Sequence, residues 1–513
     1  MKNEYRNFPA LPHHRIKNSS GSTQPSITKT LLFIGIIVFC SATAGTAKQR
    51  HSSAIPVHPS RIVFDSLDWQ IPLGDPYRLE LDNGCIAYIA ADSQLPLVKV
   101  TAYIRHGTLA DPEGKEGCTA LMTTLMRTGG TKKFPADTLD ELIDLLALRF
   151  GISAGETQCT FSGSFLSEYR ANAFTIMREI LFRPVFEEKK LQKERTIMIE
   201  AIHHRFDNPG PTLGTAFEKL MYPGQPSSRL STEKSVKSIS RNDLVALHRK
   251  VFTPSNIIFC IAGSIDPDTV RAFLEGLRPA DTTVQAATTF PLVTVNRSPG
   301  CLFVHKDISQ AYVRLGLPLF QRPHPDYYPL SVLNEIIGGG GFTSRLGKSV
   351  RSDAGLTYSI YSTAESNYTY PSTFYISFFT KNESFAEAVV LSLKEVQTLI
   401  DSGVTDEELA NAKSSLVGEL PSMFRSVDDI VSTYGWNEYY HRAPDHYRVY
   451  ADKIRAITRE DLQRVAHTYL TIDSMTIAVV GDSTALIAQK ADGFSLADRP
   501  RKTVTPAALP TLP

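Results

Sequence analysis

The run Glu200-Ala-Ile-His203-His204 sets a carboxylate and an imidazole four residues apart, on one face of any helix that carries them, with a second imidazole beside them. Two or three such donors could bind a metal ion. A polar, solvent-facing helix suits the same residues. Gly151-Ile-Ser153-Ala-Gly155 matches the bare G-x-S-x-G pattern of a serine nucleophile, but that elbow must follow a strand and open a helix. Here the run ends a predicted helix and leads toward a strand near Thr160, the reverse order. A third candidate starts at Leu333-Asn334, where four consecutive glycines, Gly338, Gly339, Gly340 and Gly341, precede Ser344-Arg345-Leu346 and then Arg351 and Tyr358. Glycines let backbone approach a ligand closely and expose amide donors, as for an extended peptide, although a hinge or helix stop uses them too. A fixed cation and a phenol are good donors to an oxygen that gains negative charge in a water-poor site. The Lys-Ser/Thr ending of a phosphate loop is missing. His106, His248, His305, His441, His446 and His467 stand singly and read as structural.

These groups must be positioned by strands and helices that come in blocks. Tyr77 to Ile89 reads as two short strands around an Asn83-Gly84 turn. Val98, Val100, Ala102 and Ile104 alternate with Lys99, Thr101, Tyr103 and Arg105, a strand with one face toward a core. Helices are predicted near Glu116 to Met126, Asp137 to Phe150 with Gly151 as the stop, Tyr169 to Phe182, and Glu187 to Phe206. Strands and helices in blocks, with hairpin turns, predict an α+β fold.

That pattern occurs twice. Ile239-Ser-Arg-Asn-Asp-Leu244 matches Ile457-Thr-Arg-Glu-Asp-Leu462 at an offset of 218 residues, and the apolar runs 257–263 and 475–481 follow in the same register. Two homologous halves are predicted, at 70–280 and 301–490, joined by a small, polar linker at 281–300. The proline-rich tail 491–513 reads as disordered, and so does the start, 48–59, of a leader segment at 48–69. Ahead of them a start rich in Lys and Arg precedes the apolar run Leu31 to Cys40, which fades into small residues. This is the layout of a secretory signal over 1–47, and predicts export to a bacterial periplasm, with an uncleaved membrane anchor as the alternative. With 54 basic and 53 acidic side chains the chain has no field to attract nucleic acid, and 42% hydrophobic content is ordinary for a globular protein. The five cysteines after Cys40 form no C-x-x-C pair and read as buried thiols.

Gly117 and Gly130-Thr131 frame a helix on which residues 120, 123 and 124 share a face. This frame resembles that of the insulinase/pitrilysin metallopeptidases, which carry H-x-x-E-H there. The three positions read Ala120, Thr123 and Thr124. A methyl or a hydroxyl is no comparable zinc ligand, and the general base is absent too. Glu200 looks like the family's last ligand, and one carboxylate cannot hold a catalytic zinc. The stretch from Asn334 through the glycines and Ser344-Arg345-Leu346 to Arg351, Gly355-Leu356 and Tyr358 strongly resembles the family's C-terminal half. The resemblance implies two halves, each a mainly antiparallel sheet covered by helices, in a clam-shaped pairing of two chains. It implies that Arg351 and Tyr358 bind substrate and stabilise the oxyanion in trans, beside a substrate-binding loop at Gly338 to Gly341. No metal is expected in this chain. A zinc-bearing peptidase subunit is the implied partner, unfolded peptides the implied substrate, and a scaffold without proteolytic role the alternative.

Overall fold

The two apolar runs that lack alternation become central strands of two six-stranded sheets, because each is buried on both faces. The computed structural model describes residues 58, 62, 69–277, 288–492, 494–495 and 501–512. The predicted signal lies outside them, as does most of the leader and the start of the linker.

In the first half the order is β1 (Arg78–Glu80), β2 (Ile86–Ala91), β3 (Leu97–Ile104), α1 (Cys118–Thr128), α2 (Ala136–Leu145), β4 (Arg149–Ala154), β5 (Cys159–Leu166), α3 (Arg170–Phe182), α4 (Glu188–His203), α5 (Pro209–Met221), α6 (Glu233–Ser238), α7 (Arg241–Val251), β6 (Ile257–Gly263) and α8 (Pro267–Glu275). The second half follows with β7 (Cys301–His305), β8 (Gln310–Pro318), α9 (Tyr327–Asn334), β9 (Thr357–Ala364), β10 (Thr373–Lys381), α10 (Phe385–Ser402), α11 (Asp406–Gly418), α12 (Val427–Tyr439), α13 (His446–Ala456), α14 (Arg459–Tyr469), β11 (Thr476–Gly481) and α15 (Ser483–Ile487). The last strands are β12 (Lys490–Ala491), β13 (Phe494–Ser495) and β14 (Arg501–Val504).

In the sheet orders, β1-β2-β6-β3-β5-β4 and β14-β7-β11-β8-β10-β9, the last five strands correspond one to one, while the first differ, β1 running antiparallel to β2 and β14 parallel to β7. The predicted α+β class and the two homologous halves are therefore present, and among the described residues the parallel pairs are β2–β6, β7–β11 and β7–β14. The repeated helices α7 and α14 open with the same device. The hydroxyls of Ser240 and Thr458 accept from the amides of Asp243 and Asp461, whose carboxylates return the bond. Val98, Val100, Ala102 and Ile104 are buried as predicted, and each fully buried valine or isoleucine contributes about 2 kcal/mol.

What joins the halves is an exchange of helices. Ile257, Phe259 and Ile261 of β6 face the core of their own half, while Ile258, Cys260 and Ala262 pack with Val431 and Tyr434 of α12, from the other half. Reciprocally, Ala478 and Val480 of β11 pack with Leu213, Ala216 and Phe217 of α5. Helices α5 and α12 start 218 residues apart, so they are the same element of the repeat, each laid on its neighbour's sheet. Residues Trp69–Pro513 accordingly form one compact unit.

Several expectations are corrected. The helix predicted from Asp137 to Phe150 ends at Leu145, Ala147 turns the chain at φ 49°, and Arg149–Ala154 is strand. Phe150 and Ile152 alternate with exposed Arg149, Gly151 and Ser153, a period of two. Ser153 thus sits inside an edge strand that turns into β5, with no helix to open. The tail predicted as disordered contributes β14, which pairs with β7 over Arg501–Val504, and Leu509 is fully buried against α5. The open edge of β7 and the apolar face of α5 supply the contacts that composition could not reveal. The later part of the linker is likewise docked, with Val293 buried and the Asn296 amide donating to the Met221 carbonyl at 2.7 Å. Trp69, placed at the end of the leader, packs on Phe424.

Candidate functional site

The helix expected to carry a metal motif, α1, is built and capped with care. Buried Asp111 accepts from the amides of Gly117 and Thr119 at 2.9 and 3.0 Å and from the Thr119 hydroxyl at 2.5 Å. Sequence reading missed Asp111. His106 Nε2 meets the same Thr119 hydroxyl at 3.1 Å, and burial pulls its pKa down to about 4, which suits the structural role predicted for it. Gly117 takes φ 103°, and a Cβ there would press on Met198 of α4. Ala120 opens onto a cavity of about 340 Å³ that Gly117 and Met198 also line. Thr123 is buried and spends its hydroxyl on the Ala120 carbonyl at 3.0 Å. Thr124 is half-buried one step on.

Glu200 does not join them. Its side chain is 67% exposed and its Oε1 lies 3.2 Å from His204 Nε2. On α4 the residues turned toward α1 are Glu194, which accepts from Thr128 at 3.4 Å, and Met198. Position 200 is about 200° around the helix from Met198; Ala201 lies nearer that face, yet it too is exposed, and Ile202 is the next residue that packs on the core. His204 uses its other nitrogen on Asp207 at 2.7 Å, so its carboxylate neighbours sit on opposite sides of the ring. Those bonds, Asp207 first and Glu200 second, raise its pKa. Among the described residues no group of three His, Cys, Asp or Glu side chains converges as a metal site would require.

The glycine-rich stretch is a chain of wide helical turns. After α9, Glu335–Gly339 forms a π-turn, and Gly347–Asp353 forms a second one that carries Arg351. Cβ atoms at Gly338 and Gly339 would strike Ser362 of β9 and Asn334, and the Gly340 amide is already bonded to the Glu335 carbonyl at 2.9 Å. The close approach these three glycines permit is therefore to their own fold. Gly341, at φ 60° with open space beside it, is the glycine free to meet a ligand. Just beyond it Phe342 is 64% exposed, and the Arg351 guanidinium lies 3.9 Å over its ring and 5.1 Å from the ring of Tyr358. Tyr358 is 77% exposed on β9, an edge strand.

Arg345 bolts this assembly down. It bonds both oxygens of Glu408 at 2.7 and 2.8 Å and the Gly403 carbonyl at 2.9 Å, tying the end of α10 to the start of α11. Burial by itself would raise the Glu408 pKa, but Arg345 and the Thr405 amide outweigh it and hold it at about 2. A folded pKa below the unfolded one gives stability above about 4.5 that is lost as the pH falls toward 2. Arg345→Gln is expected to cost about 1.5 kcal/mol at pH 7 and to flatten the acid limb of the stability profile over that window. Urea unfolding from pH 7 to 2 checks it.

Known proteins share this architecture. The sequence profile of the insulinase family, peptidase family M16, matches residues 87–229, and that of the peptidase M16 inactive domain matches 238–416, together well over half the chain. The chain belongs to the M16 family. A Helicobacter pylori relative, the non-peptidase homolog YmxG, is 23% identical over 394 residues, covering 76% of this chain and 90% of that one. A peptidase M16 inactive domain from Pseudomonas fluorescens superposes with a TM-score of 0.71 at 22% identity, covering 80% of this chain and 98% of that one. The periplasmic protease PqqL from Escherichia coli gives 0.66 at 16%, covering 79% of this chain but 45% of that one.

In this M16 chain the residues at the metal position do not fit zinc. Positions 120, 123 and 124 offer no comparable ligand, and Glu200 on the neighbouring helix is turned out to solvent. Nor does the fold bring Arg351 and Tyr358 to that place, since the cavity beside Ala120 is lined only by residues between Thr108 and Ser231. Grafting Ala120→His, Thr123→Glu and Thr124→His is expected to create a weak two-ligand site. Adding Ala201→Glu should tighten zinc by at least about 10-fold, and calorimetric titration of both grafts checks it. Equal affinity would mean that Glu200 swings in after all.

Proposed function

We propose that this chain is the substrate-binding subunit of a two-chain M16 metallopeptidase, and that it lends Arg351 and Tyr358 to a zinc site carried by its partner. The observation that carries the reading is the Arg351 stack. A guanidinium held between Phe342 and Tyr358, where the helical turns meet the open edge strand β9, is kept for something outside the chain, because the chain's own slot is elsewhere and lacks ligands. Holding the side chains in place beforehand is what makes them useful to a short-lived oxyanion, since no reorganisation is then needed at the moment of reaction. A zinc held by the partner would supply the activated water. An extended peptide would add a strand to β9, whose outer edge is unpaired among the described residues, and so be read by backbone more than by sequence.

The test is cleavage of a quenched-fluorescence peptide by this chain alone, by a zinc-bearing M16 chain of the same cell alone, and by the two mixed. Activity that rises only in the mixture supports the reading. Silence in the mixture, with the partner folded and zinc-loaded, removes it in favour of a scaffold. We infer export as well, from the basic start and the apolar run 31–40. Among the described residues no helix is long and apolar enough to cross a membrane. The intact mass of the chain in the periplasmic fraction tests cleavage between Ala42 and Ala47.

A further inference from the structure

Two arginines stand together at the corner where the exchanged helix α12 leaves the first sheet and turns into α13. Arg322 lies in the loop between β8 and α9, Tyr368 in the turn between β9 and β10, and Arg442 between α12 and α13. The Arg322 guanidinium lies 3.5 Å over the ring of Tyr327 and 4.5 Å from that of Tyr368, and Arg442 is 4.8 Å from Tyr368 and 5.0 Å from Tyr440. Rings on the faces of a guanidinium leave its edges, where the N–H groups are, for hydrogen bonds in the plane. The partners of those edges are neutral. Arg322 donates to the Ser366 hydroxyl at 2.8 Å, and Arg442 donates to the Tyr368 hydroxyl at 3.0 Å and to the side-chain carbonyl of Asn437 at 3.4 Å.

Among the described residues neither guanidinium pairs with a carboxylate. Arg322 is nevertheless only 8% exposed, and its Nε is buried without a hydrogen-bond partner, as is the Nδ2 of Asn437. A cation taken this far from water costs several kcal/mol unless an anion compensates it. The acids nearby are engaged elsewhere. Glu438 holds Arg78 and Tyr88 at 2.8 and 3.0 Å, and Asp445 lies 3.8 Å from Arg448. Glu365 accepts from the Thr373 hydroxyl and lines, with Glu156 and Glu218, a cleft of about 580 Å³ between the halves that neither Arg322 nor Arg442 lines. His446, at the start of α13, registers the excess of positive charge: burial first, then Arg442 and Arg322, pull its pKa down to about 4. Tyr368, Arg442 and His446 are half-buried, so the cluster reaches solvent.

We propose that this corner binds a phosphate group, as the free ion or as a monoester, bridged between the guanidiniums of Arg322 and Arg442. Asn437, which already bonds Arg442, has its amide to spare as a further donor. Two guanidiniums from separate segments ask for more oxygens and more charge than one carboxylate carries, and a phosphate group brings both. Occupied, the site ties two loops of the second sheet to the end of a helix that lies on the first, and so fastens the halves to each other. It shares no residue with the Arg351 stack, so it neither needs the partner subunit nor falls with the reading proposed above.

Calorimetric titration and thermal unfolding of the purified chain with inorganic phosphate, at constant ionic strength, test it. Phosphate is expected to bind saturably and to raise the unfolding midpoint, whereas chloride at matched ionic strength should do neither. Arg442→Gln should weaken phosphate by at least about 10-fold. Arg442→Lys should recover only part of that loss, because an ammonium lacks the planar fork, and Arg351→Ala should change nothing. Glycerol 3-phosphate separates the sources: binding equal to that of the free ion supports a site that takes phosphate esters such as lipid headgroups, and its exclusion supports one that closes on free phosphate. Phosphate that acts no better than chloride on the unaltered chain overturns the proposal, and so does an Arg442→Gln chain that folds and binds phosphate with unchanged affinity. Because the first comparison is between ions on the unaltered protein, a variant that fails to fold does not rescue it.

Discussion

Replacing Arg351 with alanine is expected to lower the kcat of the mixed, two-chain peptidase about 100-fold, and Tyr358→Phe about 10-fold, with KM less affected. Removing one preorganised donor from a site where negative charge develops costs about 3 kcal/mol when that donor acts mainly in the transition state. Arg351 owes its position to two rings and a π-turn anchored by Arg345, so Arg351→Lys should recover little, because an ammonium does not stack as a planar guanidinium does. Stopped assays at saturating peptide, with circular dichroism to confirm folding, measure it. An unchanged kcat would separate the pair from the chemistry and leave Tyr358 and Phe342 as a docking surface.

Gly435→Ala is expected to destabilise the chain by about 2 kcal/mol, although alanine favours helix by about 1 kcal/mol over glycine. The reason is the place where α12 crosses the first sheet. A Cβ at 435 would run into the Cys260 sulfur, with Tyr103 and Ile258 close behind. At the equivalent place on the other sheet the relief is inverted. Phe217 of α5, 218 residues earlier in the repeat, fills the space over Gly316 of β8. Urea unfolding of Gly435→Ala, of Cys260→Ala and of the double variant checks this, and the double variant should regain at least half of the loss, because the two substitutions share one contact. Additive losses would mean that the helix crossing yields without Cys260.

The repeat was legible because its capping residues and apolar strand lie close together in the chain, and local chemistry dictates them: Ser240 with Asp243, Thr458 with Asp461. The helix predicted to run through Phe150 was misread because five residues of alternation, Arg149 to Ser153, are too few to outweigh the helical run before them until the strand finds β5. The tail was misread for a related reason. Prolines and small residues look unstructured until β7 and α5 offer partners. Glu200 shows a finer limit. Sequence placed a carboxylate close to the expected position, but one residue along a helix is about 100° of rotation, and only the packing of Met198 and Glu194 against α1 tells which way it points.

By itself the sequence determined the fold class, the duplication, and the absence of His and Glu at 120, 123 and 124. These are matters of residue type and short-range spacing, which no packing can alter. Only the tertiary structure decided that α5 and α12 exchange sheets, that Glu200 turns out to solvent, and that a charged cleft joins the halves. Those features depend on contacts between residues up to hundreds of positions apart, and such contacts exist only once the chain has folded on itself.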